Sequence, residues 1–157
     1  MAPFASPDIH PLDRATIDAI LARNQVGRLA FSRHDHVDIQ PMHYVYDAGW
    51  IYGRTSPGSK MRTILHNCWV AFEVDEVDGL FDWRSVVVHG ACYVLDPEGS
   101  PREQEAYQHA LTLLRQLVPG TLTKEDPVAF RSTLFRVHVD EVTGREARSA
   151  REEGLGT

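Results

Sequence analysis

Apolar residues change their period several times along this 157-residue chain, and the changes mark its elements. Leu12, Ala15, Ile17, Ala19, Ile20 and Leu21 cluster with helical spacing, and Asn24 supplies a stop, which predicts a helix over 12–24. Val26 to Phe31 reads as a strand and Arg33-His34-Asp35-His36 as a polar turn. Val37 to Tyr46 alternates imperfectly, and Asp47-Ala48-Gly49 folds it into a hairpin with Trp50-Ile51-Tyr52. Pro41 has no backbone N–H to give a ladder, so its strand is expected at an edge or a bulge. A short helix from Lys60 to Asn67, a strand from Cys68 to Val74 and an acidic loop over Glu73 to Asp78 follow. The apolar run Arg84 to Leu95 is a long strand, with Gly90 marking a bend. Tyr107, Ala110, Leu111, Leu114 and Leu117 form one stripe of a helix over 101–117, ended by Pro119-Gly120. A last alternating strand runs from Thr133 to Val139. Residues 1–11, with three prolines, read as a loose arm, and 146–157 as a polar tail. About six strands joined by hairpins, with few helices, predict an antiparallel barrel or sandwich of the α+β class.

Composition narrows the possible partners. An apolar fraction of 43% with 24% charged residues is that of an ordinary globular chain, and the length suits a single domain over 1–157. A formal net charge of -6 opposes binding of nucleic acid or an anionic membrane through bulk electrostatics, so an anionic ligand needs a local pocket. No apolar run reaches the length of a membrane span, and the first residues have no signal-peptide pattern, which places the expectation in the cytoplasm. Cys68 and Cys92 lie in apolar, strand-like contexts without CxxC spacing and are expected to be buried, reduced thiols.

The candidate chemistry concentrates between Trp50 and Arg62. A strand runs into a turn of hydroxyls, Pro57 and Gly58, and a helix start with Lys60 follows at once. Arg54 and Lys60 supply charge, Thr55, Ser56 and Ser59 supply hydroxyl donors, and Gly58 lets backbone N–H groups turn toward an anion. Such a segment is either a phosphate grip or a plain turn with solvated cations, because the spacing is not that of a nucleotide P-loop. His34-x-His36 has too few neighbouring ligands for a metal, and none is expected. His43, in the strand after Pro41, is either a proton donor beside a ligand or a packed histidine. Trp50 and Trp69 read as core or interface residues, and Trp83 as that or as the wall of a pocket.

Four segments in order resemble the pyridoxamine 5'-phosphate oxidase-like family of FMN-binding split barrels, in particular its nitroimidazole-resistance-type branch. They are Ile39-Gln40-Pro41-Met42-His43-Tyr44-Val45-Tyr46, Ile51-Tyr52-Gly53-Arg54-Thr55 with Gly58-Ser59-Lys60, Trp83-Arg84-Ser85-Val86-Val87-Val88-His89-Gly90, and Glu141-Val142-Thr143-Gly144-Arg145. The resemblance spans Val26 to Arg145 and implies a six-stranded split β-barrel with a few peripheral helices. It implies that Arg54, Thr55, Ser59 and Lys60 hold the FMN phosphate, and that Ile39, Gln40, Pro41 and Met42 offer backbone groups to the flavin ring. Arg84 and Ser85 would reach the flavin of the other subunit in a homodimer with two interfacial sites. The implied activity is an oxidoreductase passing hydride or electrons from a reduced nicotinamide through the flavin to a small organic acceptor, a nitroaromatic among the candidates. A flavin-binding or redox-sensing module without turnover and a reductase using the deazaflavin F420 stay open as alternatives. The chain departs from the family pattern where basic residues flank the ring strand, having Ile39 and Tyr44 there. It also lacks a C-terminal Trp-x-x-Arg-x-Arg motif, so pyridoxamine phosphate oxidation itself is not implied.

Overall fold

A computed structural model describes residues 6–58, 63–64 and 68–149. In chain order the elements are β1 (Asp8–Pro11), α1 (Arg14–Arg23), β2 (Val26–Arg33), β3 (His36–His43), β4 (Val45–Asp47), β5 (Trp50–Thr55), β6 (Trp69–Gly79), β7 (Asp82–Val94), α2 (Pro101–Leu117), β8 (Thr133–His138) and β9 (Glu141–Arg148). All pairings are antiparallel, in the order β3-β2-β6-β7-β8-β5-β4, and β9 joins β7 and carries β1.

Two devices turn this open path into a split barrel. β7 is shared: residues 83–89 pair with β9, and residues 92–94 pair with β8. The change occurs at Gly90, where a Cβ would lie 1.7 Å from the carbonyl oxygen of His138. Glycine is needed here because another backbone crosses too closely for any side chain. At the other end a single residue, Tyr44, carries the chain from β3 to β4 and so from one end of the strand order to the other. Its ring is buried edge-on against Phe72, and its hydroxyl donates to the Leu21 carbonyl at 2.6 Å. Desolvation therefore holds the Tyr44 phenol well above its ordinary pKa.

The barrel interior is filled by alternate residues of the strands, including Leu29, Phe72, Val74, Val86, Val88 and Phe135, and is capped by Ile17, Ile20 and Leu21 of α1. Asp13 starts that helix by accepting the Thr16 N–H at 2.8 Å, and Asn24 ends it by donating to the Ile20 carbonyl at 2.9 Å. A second apolar layer lies outside β5 and β8, where Leu111, Leu113 and Leu114 of α2 cover Tyr52, Leu95 and Leu134. α2 begins with a reciprocal capping box between Ser100 and Glu103, with Pro101 in the first turn.

The α+β class and the split barrel agree with the sequence reading, while several boundaries move. Among the described residues the sheet has nine strands, where about six were expected. Asp8–Pro11, read as part of a loose arm, pairs with Arg145 to Arg148, which extends β9 into the segment read as tail. The acidic run does not loop out: β6 continues to Gly79, because Arg23, Arg28 and Arg84 supply counter-charges on both faces of the strand. The predicted helix over 60–67 falls largely outside the described residues. Cys92 is buried as expected, whereas Cys68 is exposed just before β6.

Candidate functional site

Alternation along the strands sorts the candidate residues by face. In β7 the core takes Val86, Val88, Gly90 and Cys92, which leaves Trp83, Ser85, Val87 and His89 on the outer face. The register then lays out rows across that face. Pro41 of β3 stands beside Arg28, Glu73, Val87 and Thr143 in turn, and Asp75 stands beside Ser85 and Arg145. A cavity of about 310 Å³ opens there, lined by Trp83, Ser85, Val87, Thr143, Gly144 and Arg145.

β3 forms the margin of this face, with no strand among the described residues on its far edge. Its outer side is apolar and open: Val37 and Ile39 are 69% and 65% exposed. Pro41 is also exposed, as expected for an edge strand, and His43 ends the strand on the same side, opposite Val26. Gln40 and Met42 alternate to the other side. Met42 is buried and fills the space over Gly53, whose added Cβ would lie 2.3 Å from the Met42 methyl. β3 and β7 are separated by three strand spacings, about 14 Å, so one subunit alone does not bring β3 and Ser85 together.

The structure separates Arg84 from Ser85. Adjacent strand residues point to opposite faces, and Arg84 turns to the core side, where its Nε donates to Glu76 at 3.0 Å. Glu76 also accepts from Nε and Nη2 of Arg23, at 2.8 and 2.5 Å, and from Asn24 at 2.7 Å. These bonds, Arg23 foremost, hold its carboxyl down to about 2. Through Glu76, Arg84 joins α1, β6 and β7.

Arg54 has its partners in the 126–131 segment. Its Nη1 and Nη2 grip the Asp126 carboxylate at 3.2 and 2.5 Å, its Nε donates to the Arg131 carbonyl at 2.8 Å, and Nη2 also reaches the Val128 carbonyl at 3.2 Å. The Arg54 side chain is 9% exposed and that of Asp126 is 0% exposed. The guanidinium, helped by N–H donation from Leu122 and Val128, holds the Asp126 carboxyl well below the usual carboxylate range. Arg54 thus pins the 120–131 connection to β5, with little donor capacity left for a phosphate. Thr55 beside it is buried at the end of β5, and Ser56 is exposed. Ser59 and Lys60 lie outside the described residues.

Sequence reasoning passed over the charges on the outer face. Arg28 Nη1 lies 3.2 Å from Glu73 and 3.5 Å from Asp75. Desolvation first, then the neighbouring Asp75, raises the Glu73 carboxyl above its ordinary value, with Arg28 opposing. The signal was present as acids two apart opposite a strand arginine, but it needed the register to be seen. A second cavity of about 700 Å³ adjoins the first across Trp83, so this tryptophan walls both. Asp8, Asp78, Asp82 and Glu146 outnumber Arg84 and Arg148 in its lining, and both arginines already pair with Glu146, which makes it a poor place for a phosphate.

Comparison with known proteins agrees with this fold. The pyridoxamine 5'-phosphate oxidase family profile matches residues 13–146. An uncharacterized protein of Rhizobium meliloti (strain 1021) is 28% identical over 146 residues, covering 88% of this chain and 95% of that one. Among solved structures, an FAD-binding protein from Mesorhizobium loti superposes with a TM-score of 0.73 at 26% identity, covering 91% of this chain and 99% of the other. A conserved protein of unknown function from Corynebacterium diphtheriae gives 0.66 at 31% identity, over 88% and 97%. A candidate 5-nitroimidazole antibiotic resistance protein from Bacteroides thetaiotaomicron shares the fold, with a TM-score of 0.69 at 18% identity over 92% and 91%. With a profile match over most of its length and the matching split-barrel fold, the chain belongs to the pyridoxamine 5'-phosphate oxidase family.

Proposed function

We propose that this chain is a flavin-binding oxidoreductase that works as a homodimer, with FMN held between the outer faces of two subunits. The observation that carries the reading is the open edge and apolar outer side of β3, which share one face with the Trp83 and Ser85 cavity. The flavin-binding relative of the same fold from Mesorhizobium loti supports the ligand class, and because that protein binds FAD, the dinucleotide is the competing form.

The donors present fit such a ligand in a division of labour. On the free edge of β3 alternate residues turn their backbone groups outward, Ile39 among them, and these suit the polar rim of a flat heteroaromatic ring, while Pro41 leaves one donor out. Ser85, Thr143 and Arg145 of the second subunit supply hydroxyl and guanidinium donors across the 14 Å that a single chain leaves open, an estimate of about three strand spacings. Thr55, Ser59 and Lys60 take the phosphate, while Arg54 acts by fixing the wall next to them and Arg84 by bracing β7 from behind. His43, exposed at the end of β3, is placed to give or hold a proton for a substrate oxygen. A bound flavin would supply the hydride and electron transfer from a reduced nicotinamide to a small organic acceptor; the chain supplies orientation, exclusion of water and charge. No helix among the described residues is long and apolar enough to cross a membrane, in keeping with a cytoplasmic place for such an enzyme.

The test is the cofactor released from purified protein, followed by oxidation of NADH or NADPH with and without a nitroaromatic acceptor. FMN at about one per chain and acceptor-dependent turnover are expected, with His43→Ala keeping the flavin while losing roughly 10²–10⁴-fold in rate. FAD or a deazaflavin F420 in its place would change the cofactor, and bound flavin without turnover would reduce the protein to a carrier or sensor.

A further inference from the structure

We propose that Cys68 and Cys92 form an oxidative modification site, a reversible intramolecular disulfide across the open end of the β6–β7 ladder. The register pairs Trp69 with Ala91, and one step further sets Cys68 opposite Cys92. The Cys92 N–H donates to the Cys68 carbonyl at 2.6 Å, which sets the two residues opposite each other just past the end of the ladder. Opposed residues of an antiparallel ladder carry their side chains on the same face, and a pair of this kind holds its Cα atoms about 5.5 Å apart, inside the roughly 4.4–6.8 Å that a disulfide spans. The Cβ atoms must approach by about 1 Å, since opposed residues keep them at roughly 5 Å and a disulfide wants about 4 Å. Cys68 lies just before β6 begins, so it is held by the ladder on one side only. The closure stores some strain, and that makes the bond easy to reduce again.

The two thiols differ in access, which sets their roles. Cys68 is exposed, and Cys92, 3% exposed, sits in the barrel core. A peroxide therefore meets Cys68 first: the thiolate sulfur takes one peroxide oxygen, giving a sulfenic acid and releasing water after protonation. The Cys92 sulfur then attacks the Cys68 sulfur, the S–O bond breaks, and a second water leaves. In sum two thiols lose two electrons and two protons, and one hydrogen peroxide becomes two waters. A dithiol reductant reverses the step, as a reducing compartment requires. The bond would tie Cys68, at the entry to β6, to β7.

Hydrogen peroxide at one to a few equivalents, followed by intact mass measurement under denaturing, non-reducing conditions, tests this directly. The expected result is a monomer lighter by about 2 Da, with the peptides bearing Cys68 and Cys92 joined, restored by dithiothreitol and absent in Cys68→Ser. Cys68→Ser alters an exposed position and should fold normally, so its failure to lose the two hydrogens reports chemistry and not unfolding. The oxidised wild type should also melt at a higher temperature than the reduced protein, a difference that Cys68→Ser cannot show. Gain of about 16 or 32 Da on Cys68 with Cys92 still a thiol, a disulfide between two chains through Cys68, or no reaction at either residue would each overturn the proposal.

Discussion

Arg54 and Asp126 show how much one side chain can be asked to do. A buried guanidinium with a carboxylate and two carbonyls around it holds its site together only while each partner remains, and removing one leaves an uncompensated buried charge. Arg54→Ala is expected to lower the thermal midpoint by about 5–10 °C, and Arg54→Ala with Asp126→Ala to lower it less than the single change. A double variant whose midpoint falls by the sum of the two single-variant losses, by calorimetry, would mean that the pair is not coupled. None of this was legible in the sequence, where Arg54 stood in a run of anion-binding residue types. Its actual partners lie 72 to 77 positions away, in a connection with no regular pattern of its own. The same limit hid Glu73, whose partner Arg28 stands on a neighbouring strand 45 residues earlier.

Elements were more legible where a local cause dictates them. Asp13 and Ser100 start the two described helices by capping, and the proline at position 41 announced an edge strand because it cannot donate to a second neighbour. Gly90 announced a bend for a reason that only the fold supplies, the crossing of β8 at His138. Gly90→Ala should therefore cost about 2–4 kcal/mol, read as a fall in the denaturant midpoint at unchanged slope, whereas Gly49→Ala, with open space around it but a φ of +83°, should cost about 1 kcal/mol. The acidic run was misread for the converse reason: charge density suggested a loop, while the counter-ions that make it a strand come from α1, β2 and β7.

Glu76 ties those elements together, and its titration gives the sign of one pH effect. Its folded pKa of about 2 lies below the ordinary 4.5, so the charged form is favoured by folding. The stabilisation is complete above about pH 5 and is lost as pH falls from about 4.5 through 2. With a side chain 18% exposed, a contribution on the order of 2–3 kcal/mol at neutral pH is reasonable after allowance for solvent. Glu76→Gln should destabilise the protein by about that amount at pH 7 and by much less at pH 2.5. Identical losses at both pH values in denaturant titrations would show that Glu76 acts through packing and not through charge.

At the scale of the whole molecule, the outer face is the feature that most needs an explanation. An edge strand with exposed Val37 and Ile39 invites pairing unless something covers it, and the separation of Ser85 from the ring strand within one chain invites a second copy. A cofactor shared between subunits would satisfy both. It would also make ligand binding and association two readings of one equilibrium, since a ligand that spans the interface stabilises the dimer by its preference for that state. Ile39→Glu, which puts a charge in the middle of the apolar strip, is expected to weaken both together by tenfold or more, about 1.4 kcal/mol or greater. Sedimentation velocity followed at the flavin absorbance, over a dilution series of cofactor-free and FMN-loaded protein, tests the shared site most directly. The account predicts that FMN shifts the monomer–dimer transition to lower protein concentration and that flavin absorbance travels only with the dimer. A monomer that carries FMN as tightly as the dimer does would contradict it.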